Sequence, residues 1–300
     1  MTMESMVSNN KFGQFLMHFF CILLCITCVA PFLLLVMSSL TEEATLIRDG
    51  YSFLPQAWSL ESYRYLASRA ETIVRGYGIT VLATLVGTSC SIMMTTLFAY
   101  PLSRKELPFR YGISFFVFFT MLFNGGLIPA YMMWTQTFHI KNTLWALIIP
   151  ALLMNGFYII MMRSYFTANI PDALVEAARI DGAGEYRILF KVVLPLSLPM
   201  IATLALMIGL MYWNDWLNGL YYLTNAKLFS IQNILNKMIT DIQFLQSSQS
   251  TVTTNVNLSN LPSVGIRMAI AVIGVIPVLV VYPFFQKYFV KGIVVGGVKG

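Results

Sequence analysis

The sequence predicts an all-α, polytopic membrane protein with six transmembrane helices. Of its 300 residues 57% are hydrophobic and only 11% are charged, and the mean hydropathy is +0.71. Water-soluble domains carry about 25% charged residues, so this chain has too little polar material to cover a surface in water. Six long stretches contain no Asp, Glu, Lys or Arg at all. With four cysteines and 12 prolines the chain is neither a disulfide scaffold nor a collagen, and its hydrophobicity excludes disorder. Its net charge of +6 is not gathered into any run of five basic residues, so membrane lipid is the expected partner and nucleic acid is not.

The charge-free stretches are Phe12–Thr41, Gly76–Ser103, Tyr111–Ile140, Asn142–Met162, Val192–Asn214 and Met268–Gln286. An α-helix rises 1.5 Å per residue and needs about 20 apolar residues to cross the hydrocarbon layer, a length that each stretch reaches. None shows the period-2 alternation of a barrel strand, so helices are expected at residues 14–40, 77–101, 111–133, 143–164, 196–220 and 264–288 of one transmembrane domain, 1–300. The first stretch is too long for a signal-peptide core and lacks a small-x-small cleavage site, so it is read as a crossing. An even number of crossings leaves both termini on one side. With that side inside, the internal segments hold 11 of the 19 Lys and Arg residues, including Arg104, Lys105 and Arg110 in one short loop. The expectation is a multi-pass membrane protein with cytoplasmic termini. Residues 221–262 then form an extracellular loop, whose Ser247–Asn260 portion is uncharged and rich in Ser, Thr and Asn, with a glycosylation-type triplet at Asn257.

Several constellations carry no chemistry. Cys21, Cys25 and Cys28 have the spacing of a radical iron–sulfur loop but sit inside an apolar helix, where cysteine serves as a small packing residue. Cys90 is alone, and His18 and His139 have no carboxylate at ligand spacing, so no metal site is expected. The sequence has no GxxxxGK[ST], HExxH or GxSxG, and hence no equipment to hydrolyse ATP, peptides or esters. The six stretches also lack the midplane ionisable groups of a proton- or sodium-driven carrier, Asp215 lying only at the outer end of the fifth. Any driving force therefore comes from another subunit, and this chain is not expected to be an enzyme.

The informative segment is 168–195, ANIPDALVEAARIDGAGEYRILFKVVLP, between the fourth and fifth crossings. Pro171 and Asp172 suit the first turn of a helix, and Leu174, Ala177 and Ala178 recur at i, i+3 and i+4 to give a small apolar face. Gly182 stands where a left-handed terminator is expected, and a second helix from about Glu185 ends at Pro195. This describes a helix-turn-helix on the cytoplasmic face, and alanine-rich apolar faces suit a protein socket better than lipid.

Here the chain resembles a known family. Glu176-Ala177-Ala178, three residues, Gly182, nine residues and Val192-x-Leu194-Pro195 match the EAA motif of ATP-binding-cassette importer permeases, with Val in place of the usual Ile. The wording EAARIDGA followed by FxxVxLPLxxP is similar to the carbohydrate-uptake branch that includes the maltose permease G subunit. Trp213-Asn214-Asp215-Trp216 and the C-terminal Tyr288-Phe289-Val290-Lys291-Gly292 with Gly297-Val298-Lys299-Gly300 are similar to motifs of that branch. Phe123-Asn124-Gly125-Gly126-Leu127-Ile128-Pro129 resembles its subgroup for oligosaccharides of complex polysaccharides. The resemblance implies a type I importer built from this permease, a second homologous permease, two cytoplasmic ATPase subunits and an extracellular solute-binding protein. ATP and Mg would be bound by the ATPases, with no cofactor on this chain. It also implies that 168–195 is the coupling segment, with Glu176, Ala177, Ala178, Asp181, Gly182 and Ala183 at the ATPase.

An oligosaccharide presents hydroxyls and apolar ring faces, so its path wants aromatics beside amides and hydroxyls. Asn124, Tyr131, Asn155, Tyr158, Trp213, Asn214, Asp215 and Trp216 are candidates by that chemistry. Tyr and Trp also populate interfacial belts, which is the competing reading for each. The rival functions are an importer for another solute, such as glycerol phosphate or a peptide-like compound, a membrane-embedded enzyme, and a passive channel.

Overall fold

The computed structural model describes residues 11–249 and 263–297. Its helices are α1 (Lys11–Ser39), α2 (Glu43–Asp49), α3 (Glu61–Ala67), α4 (Ala70–Ser103), α5 (Arg110–Leu122), α6 (Leu127–Met132), α7 (Trp145–Ile148), α8 (Gly156–Asn169), α9 (Asp172–Ile180), α10 (Glu185–Ile188), α11 (Leu198–Asn214), α12 (Leu217–Tyr222), α13 (Ile231–Gln249) and α14 (Ser263–Gly297). Among the described residues there is no β-strand, only the isolated bridge between Thr41 and Trp58.

The described chain divides into two compact units. The first takes in described residues of Met1–Ala70 and Ile239–Ile276. In it the Tyr63 and Ser39 hydroxyls lie 2.8 Å apart, and the Glu43 carboxylate accepts from the backbone N–H groups of Val264 and Gly265, each at 2.9 Å. Those two N–H groups belong to the first turn of α14, so Glu43 supplies a partner that the helix itself cannot. The apolar surface of α1 is unburied along its whole spanning window, as suits a helix with lipid or another chain around it.

The second unit takes in Glu71–Met238 and the described part of Pro277–Gly300. Its main core joins α4, α5, α8, α9, α10 and α11 through Tyr100, Val117, Met162, Phe166, Val175, Ile188 and Leu204. Helices α5 and α8 approach closely at Gly156, where a Cβ would meet the Met121 side chain and the Val117 carbonyl. A second cluster joins Ala83, Ile140, Leu147, Ile148, Tyr222 and Leu223.

Helices α1, α4 and the Val264–Phe284 part of α14 are each long and apolar enough to cross a membrane, and two bent pairs bring the total to five if each pair is one span. The other expected crossings differ in detail. The stretch expected as one helix over 111–133 breaks after Leu122 and turns by 108° into Leu127–Thr137. Asn124 causes the break: its Oδ1 accepts from the Gly126 N–H at 2.9 Å, and Gly126 sits at φ +87, in the left-handed region. The stretch expected over 143–164 is broken between α7 and α8, because Pro150 follows the end of α7 and the Asn155 side chain caps α8 by accepting from the Phe157 N–H. At 14 residues α8 is only about 21 Å long, short of a full crossing by itself. The stretch expected over 196–220 is interrupted at Asp215-Trp216, between α11 and α12. Within the expected loop 221–262, 19 residues form the helix α13. The Asn257 triplet and Gly300 lie outside the described residues, and the side chains of Tyr288 to Lys291 are likewise not described.

Candidate functional site

The hairpin of 168–195 forms as its residues demand. Helix α9 starts after Pro171 and ends in two bonds, from the Gly182 N–H to Arg179 O (3.0 Å) and from the Ala183 N–H to Ala178 O (2.9 Å). This is a Schellman closure, and it requires the left-handed φ of +78 that Gly182 adopts. Helix α10 continues through a π-helical turn, Leu189–Val193, into Leu194–Leu196. Pro195 has no N–H to offer, and the widened turn lies immediately before it. The Ser197 hydroxyl then donates to Val193 O (2.8 Å), at a bend of 82° into α11.

The faces of α9 are sorted differently from the expected Leu174, Ala177, Ala178 stripe. Val175 is 2% exposed, and Ala178 and Ala183 pack on the chain's own core. Ala173, Leu174, Glu176, Ala177 and Ile180 face away from it, with Ile180 at 86% and nearby Tyr186 at 77% exposure. Asp181 and Gly182 are also exposed, so of the six residues expected at a partner, Glu176, Ala177, Asp181 and Gly182 are free to meet one. The physical reason is that Ala173, Ala177 and Ile180, spaced by four and three, define a face opposite the Val175 side.

Charges hold the inner side. Lys105 Nζ donates to Asp172 Oδ2 (2.9 Å), and Arg104 Nη1 lies 3.7 Å from Asp172 Oδ1. Arg179 donates to Glu185 Oε1 at 2.9 Å and lies 3.6 Å from Glu106. The Tyr100 hydroxyl donates to Glu185 Oε2 at 2.6 Å. The Lys105 ammonium, with a smaller contribution from Arg104, holds the Asp172 carboxyl below its ordinary value, and the Tyr100 hydroxyl with Arg179 does the same for Glu185.

The candidate path residues do not converge. Asn124 and Asn155 serve as local caps. Tyr131 stacks on Tyr222 with ring centroids 5.9 Å apart, and Tyr158 is buried with its hydroxyl against Met211 Sδ at 2.9 Å. Asn214 donates to Leu210 O. Asp215 and Trp216 belong to a polar knot that satisfies backbone groups: Asp215 Oδ1 accepts from the Asn218 N–H (3.3 Å), and Trp216 O accepts from Asn233 Nδ2 (3.1 Å). Trp213 opens onto a cavity. That space, about 290 Å³, lies among α4, α11 and α14 and is lined by Thr84, Thr88, Gly209, Trp213, Val281 and Tyr282 with other apolar groups. Among the described residues the Thr84 and Thr88 hydroxyls and the Trp213 indole N–H have no hydrogen-bond partner. Thr84, Thr88 and Tyr282 carry no sequence signal of their own, because the cavity is assembled from three segments far apart in the chain.

The profile of the binding-protein-dependent transport system inner membrane components matches residues 93–295, which include the whole hairpin and the cavity helices α11 and α14. The chain belongs to this family. The permease is 36% identical over 292 residues to the polygalacturonan/rhamnogalacturonan transport system permease protein YtcP of Bacillus subtilis strain 168, covering 97% of this chain and all of that one. It is 35% identical to LplC of the same organism, over 91% and 90% of the two chains. Among solved structures, a chain of a bacterial ABC transporter involved in the import of the acidic polysaccharide alginate superposes with a TM-score of 0.77 at 27% identity, covering 93% of the permease and 98% of that chain. The permease is thus a multi-pass membrane subunit of an ABC importer and belongs to a transport family, not a family of enzymes.

Proposed function

We propose that the permease pairs with a second homologous permease to form the transmembrane path for an oligosaccharide, delivered by an extracellular binding protein and driven by two ATPase subunits that carry ATP and Mg. The observation that carries the coupling role is the outward face of α9. Apolar Ala173, Leu174, Ala177 and Ile180 project from a charged, water-facing hairpin while Val175 and Ala178 dock inward, which is the form of a helix waiting for a cleft. Glu176 supplies a polar contact there, Ala177 allows close approach, and Asp181 and Gly182 form the exposed turn. The oligosaccharide reading is supported by the names of relatives that handle polygalacturonan, rhamnogalacturonan and arabino-oligosaccharides. In this reading both termini and the hairpin are cytoplasmic, and six crossings include the bent and interrupted ones.

Ala177→Cys is expected to cross-link to the ATPase in inside-out vesicles, and Ala178→Cys to react far less. Uptake should be seen with oligogalacturonides or arabino-oligosaccharides when the cognate binding protein is added. Labelling of Ala177→Cys by a membrane-impermeant maleimide from outside intact cells would overturn the orientation. Uptake that persists without any ATPase would overturn the driving mechanism.

A further inference from the structure

The second and third crossings are joined by a loop that begins with three consecutive charges, Arg104, Lys105 and Glu106. Helix α9 carries one acid in its first turn, Asp172, and one base in its last, Arg179. Seven residues advance about 10.5 Å and fall about 20° short of two full turns, so these two side chains stand on one line along the helix. The order of charge in the loop complements that line. Its bases reach Asp172, through Lys105 at 2.9 Å and Arg104 at 3.7 Å, and its acid reaches Arg179 at 3.6 Å.

The loop contacts close into a ring. The Arg104 guanidinium lies over the Tyr100 ring, 4.9 Å from its centroid, in the last turn of α4. Tyr100 donates to Glu185, Glu185 holds Arg179, and α9 returns the connection to Asp172 and Arg104. One attachment point would hold the outward face of a nine-residue helix but leave its direction free. Two points on one line, with Val175 buried between them, fix its direction and its rotation about its own axis.

Stability does not explain this arrangement. Exposed ion pairs contribute little to folding. Arg104 is only 7% exposed, and its Nε and Nη2 have no hydrogen-bond partner among the described residues, so its burial is a cost. An arrangement that is costly at its anchor and weak in each exposed pair, yet complementary at both ends, suits a device for orientation.

We propose that the Tyr100, Arg104-Lys105-Glu106, Asp172, Arg179 and Glu185 ring is a charge clasp that makes α4 move with α9, so that displacement of the hairpin is delivered to the second crossing as well as to the fifth. The clasp rests on the reading of α9 as the ATPase-facing helix. Its residues are positioning residues, since none touches solute or nucleotide. Without the clasp the hairpin is still covalently joined to α8 and α11, so ATP hydrolysis continues while its yield in transported solute falls.

The test uses the full importer in proteoliposomes, with Cys21, Cys25, Cys28 and Cys90 replaced by alanine, and reads oligosaccharide moved per ATP hydrolysed. Lys105→Cys with Asp172→Cys should lower that yield several-fold, and bridging the two thiols with a short bis-methanethiosulfonate reagent should restore it. A yield that is unchanged before bridging, or still low after it, overturns the clasp. If the pair fails to assemble with its partners, Tyr100→Phe removes one hydroxyl and should give a smaller loss of yield with normal assembly, and no loss in that variant also overturns it. Cross-linking of Ala177→Cys to the ATPase in the same proteoliposomes reports separately on the ATPase-facing reading. Its failure would sink that reading, whereas intact cross-linking with an unchanged yield sinks the clasp alone.

Discussion

Replacing Gly182 by alanine separates backbone conformation from side-chain volume. Gly182 has φ +78, and nothing lies within 4 Å of where a Cβ would stand. The cost of Gly182→Ala is therefore that of holding an L-residue in the left-handed region, about 1–2 kcal/mol, with no clash to add to it. The control is two residues away. Gly184 has φ −72 and equally open surroundings, so Gly184→Ala meets no forbidden conformation. Its small loss as a helix cap is offset by the reduced freedom of the unfolded chain, and the net change should be near zero. The Gly182 and Ala183 amides are the donors of the closure, so their hydrogen exchange reads its opening. A cost of 1–2 kcal/mol raises the open population roughly 5- to 30-fold. Exchange of a peptide covering 178–184 in the nanodisc-embedded importer should accelerate by that factor in Gly182→Ala and stay near the wild-type rate in Gly184→Ala. Transport per ATP should fall only in the first variant. Equal exchange in the two variants would refute the argument, because only the sign of φ distinguishes the sites.

Two further outcomes follow from the same geometry. A Cβ at Gly87 would overlap the Tyr212 ring, whose hydroxyl donates to Ile148 O at 2.8 Å, so Gly87→Ala should lower stability in detergent by about 1–3 kcal/mol. Gly78→Ala, in the same helix with open space around it, should not, and equal melting temperatures for the two would contradict the packing. The clasp carboxyls have lowered pKa values in the folded state, Glu185 through the Tyr100 hydroxyl and Arg179, Asp172 through Lys105 and Arg104. Such groups contribute stability that is fully present above the unfolded carboxyl pKa and is lost as pH falls through the folded one. The hairpin should then hold from about pH 8 to pH 5 and loosen below about pH 4, followed by maleimide accessibility of Ala178→Cys, and loosening between pH 8 and pH 6 would contradict it.

What could be read in the sequence and what could not divide along a physical line. The hairpin was legible because its signals are local: Pro171 and Asp172 open α9, Gly182 closes it, and Pro195 marks the return toward the membrane. Each acts within a few residues of its place. Apolar composition likewise located α1, α4 and α14, whose chains run unbroken. It could not locate the interruptions inside the third and fourth stretches, because Asn124 and Asn155 break the helix by bonding their own backbone, and one polar residue hardly changes the hydropathy of a window. Arg104 and Lys105 were visible, but only as evidence for orientation, and Glu106 not at all, since the partners of this loop lie 67 or more residues away. Tyr, Trp and Asn are used at helix caps, in aromatic stacks and in polar knots as readily as in a solute path, and residue type alone does not separate those uses.

The clasp explains why the hairpin and the loop before the third crossing need each other. Helix α9 must keep an apolar face outward on a surface bathed in water, which would by itself favour turning that face inward against the core. Val175 and Ala178 fill the inner side, but both are small and leave the rotation of a short helix weakly specified. Asp172 and Arg179 remove that freedom, because turning Ala177 and Ile180 inward would separate both charges from their partners at once. If so, neutralising both ends together, with Asp172→Asn and Glu106→Gln, should protect Ala177→Cys from maleimide without unfolding the permease. The single substitutions should have smaller effects than half of the combined one, since either remaining anchor still holds the face outward. Strictly additive protection would show that rotation is set by packing and that the two charges act independently.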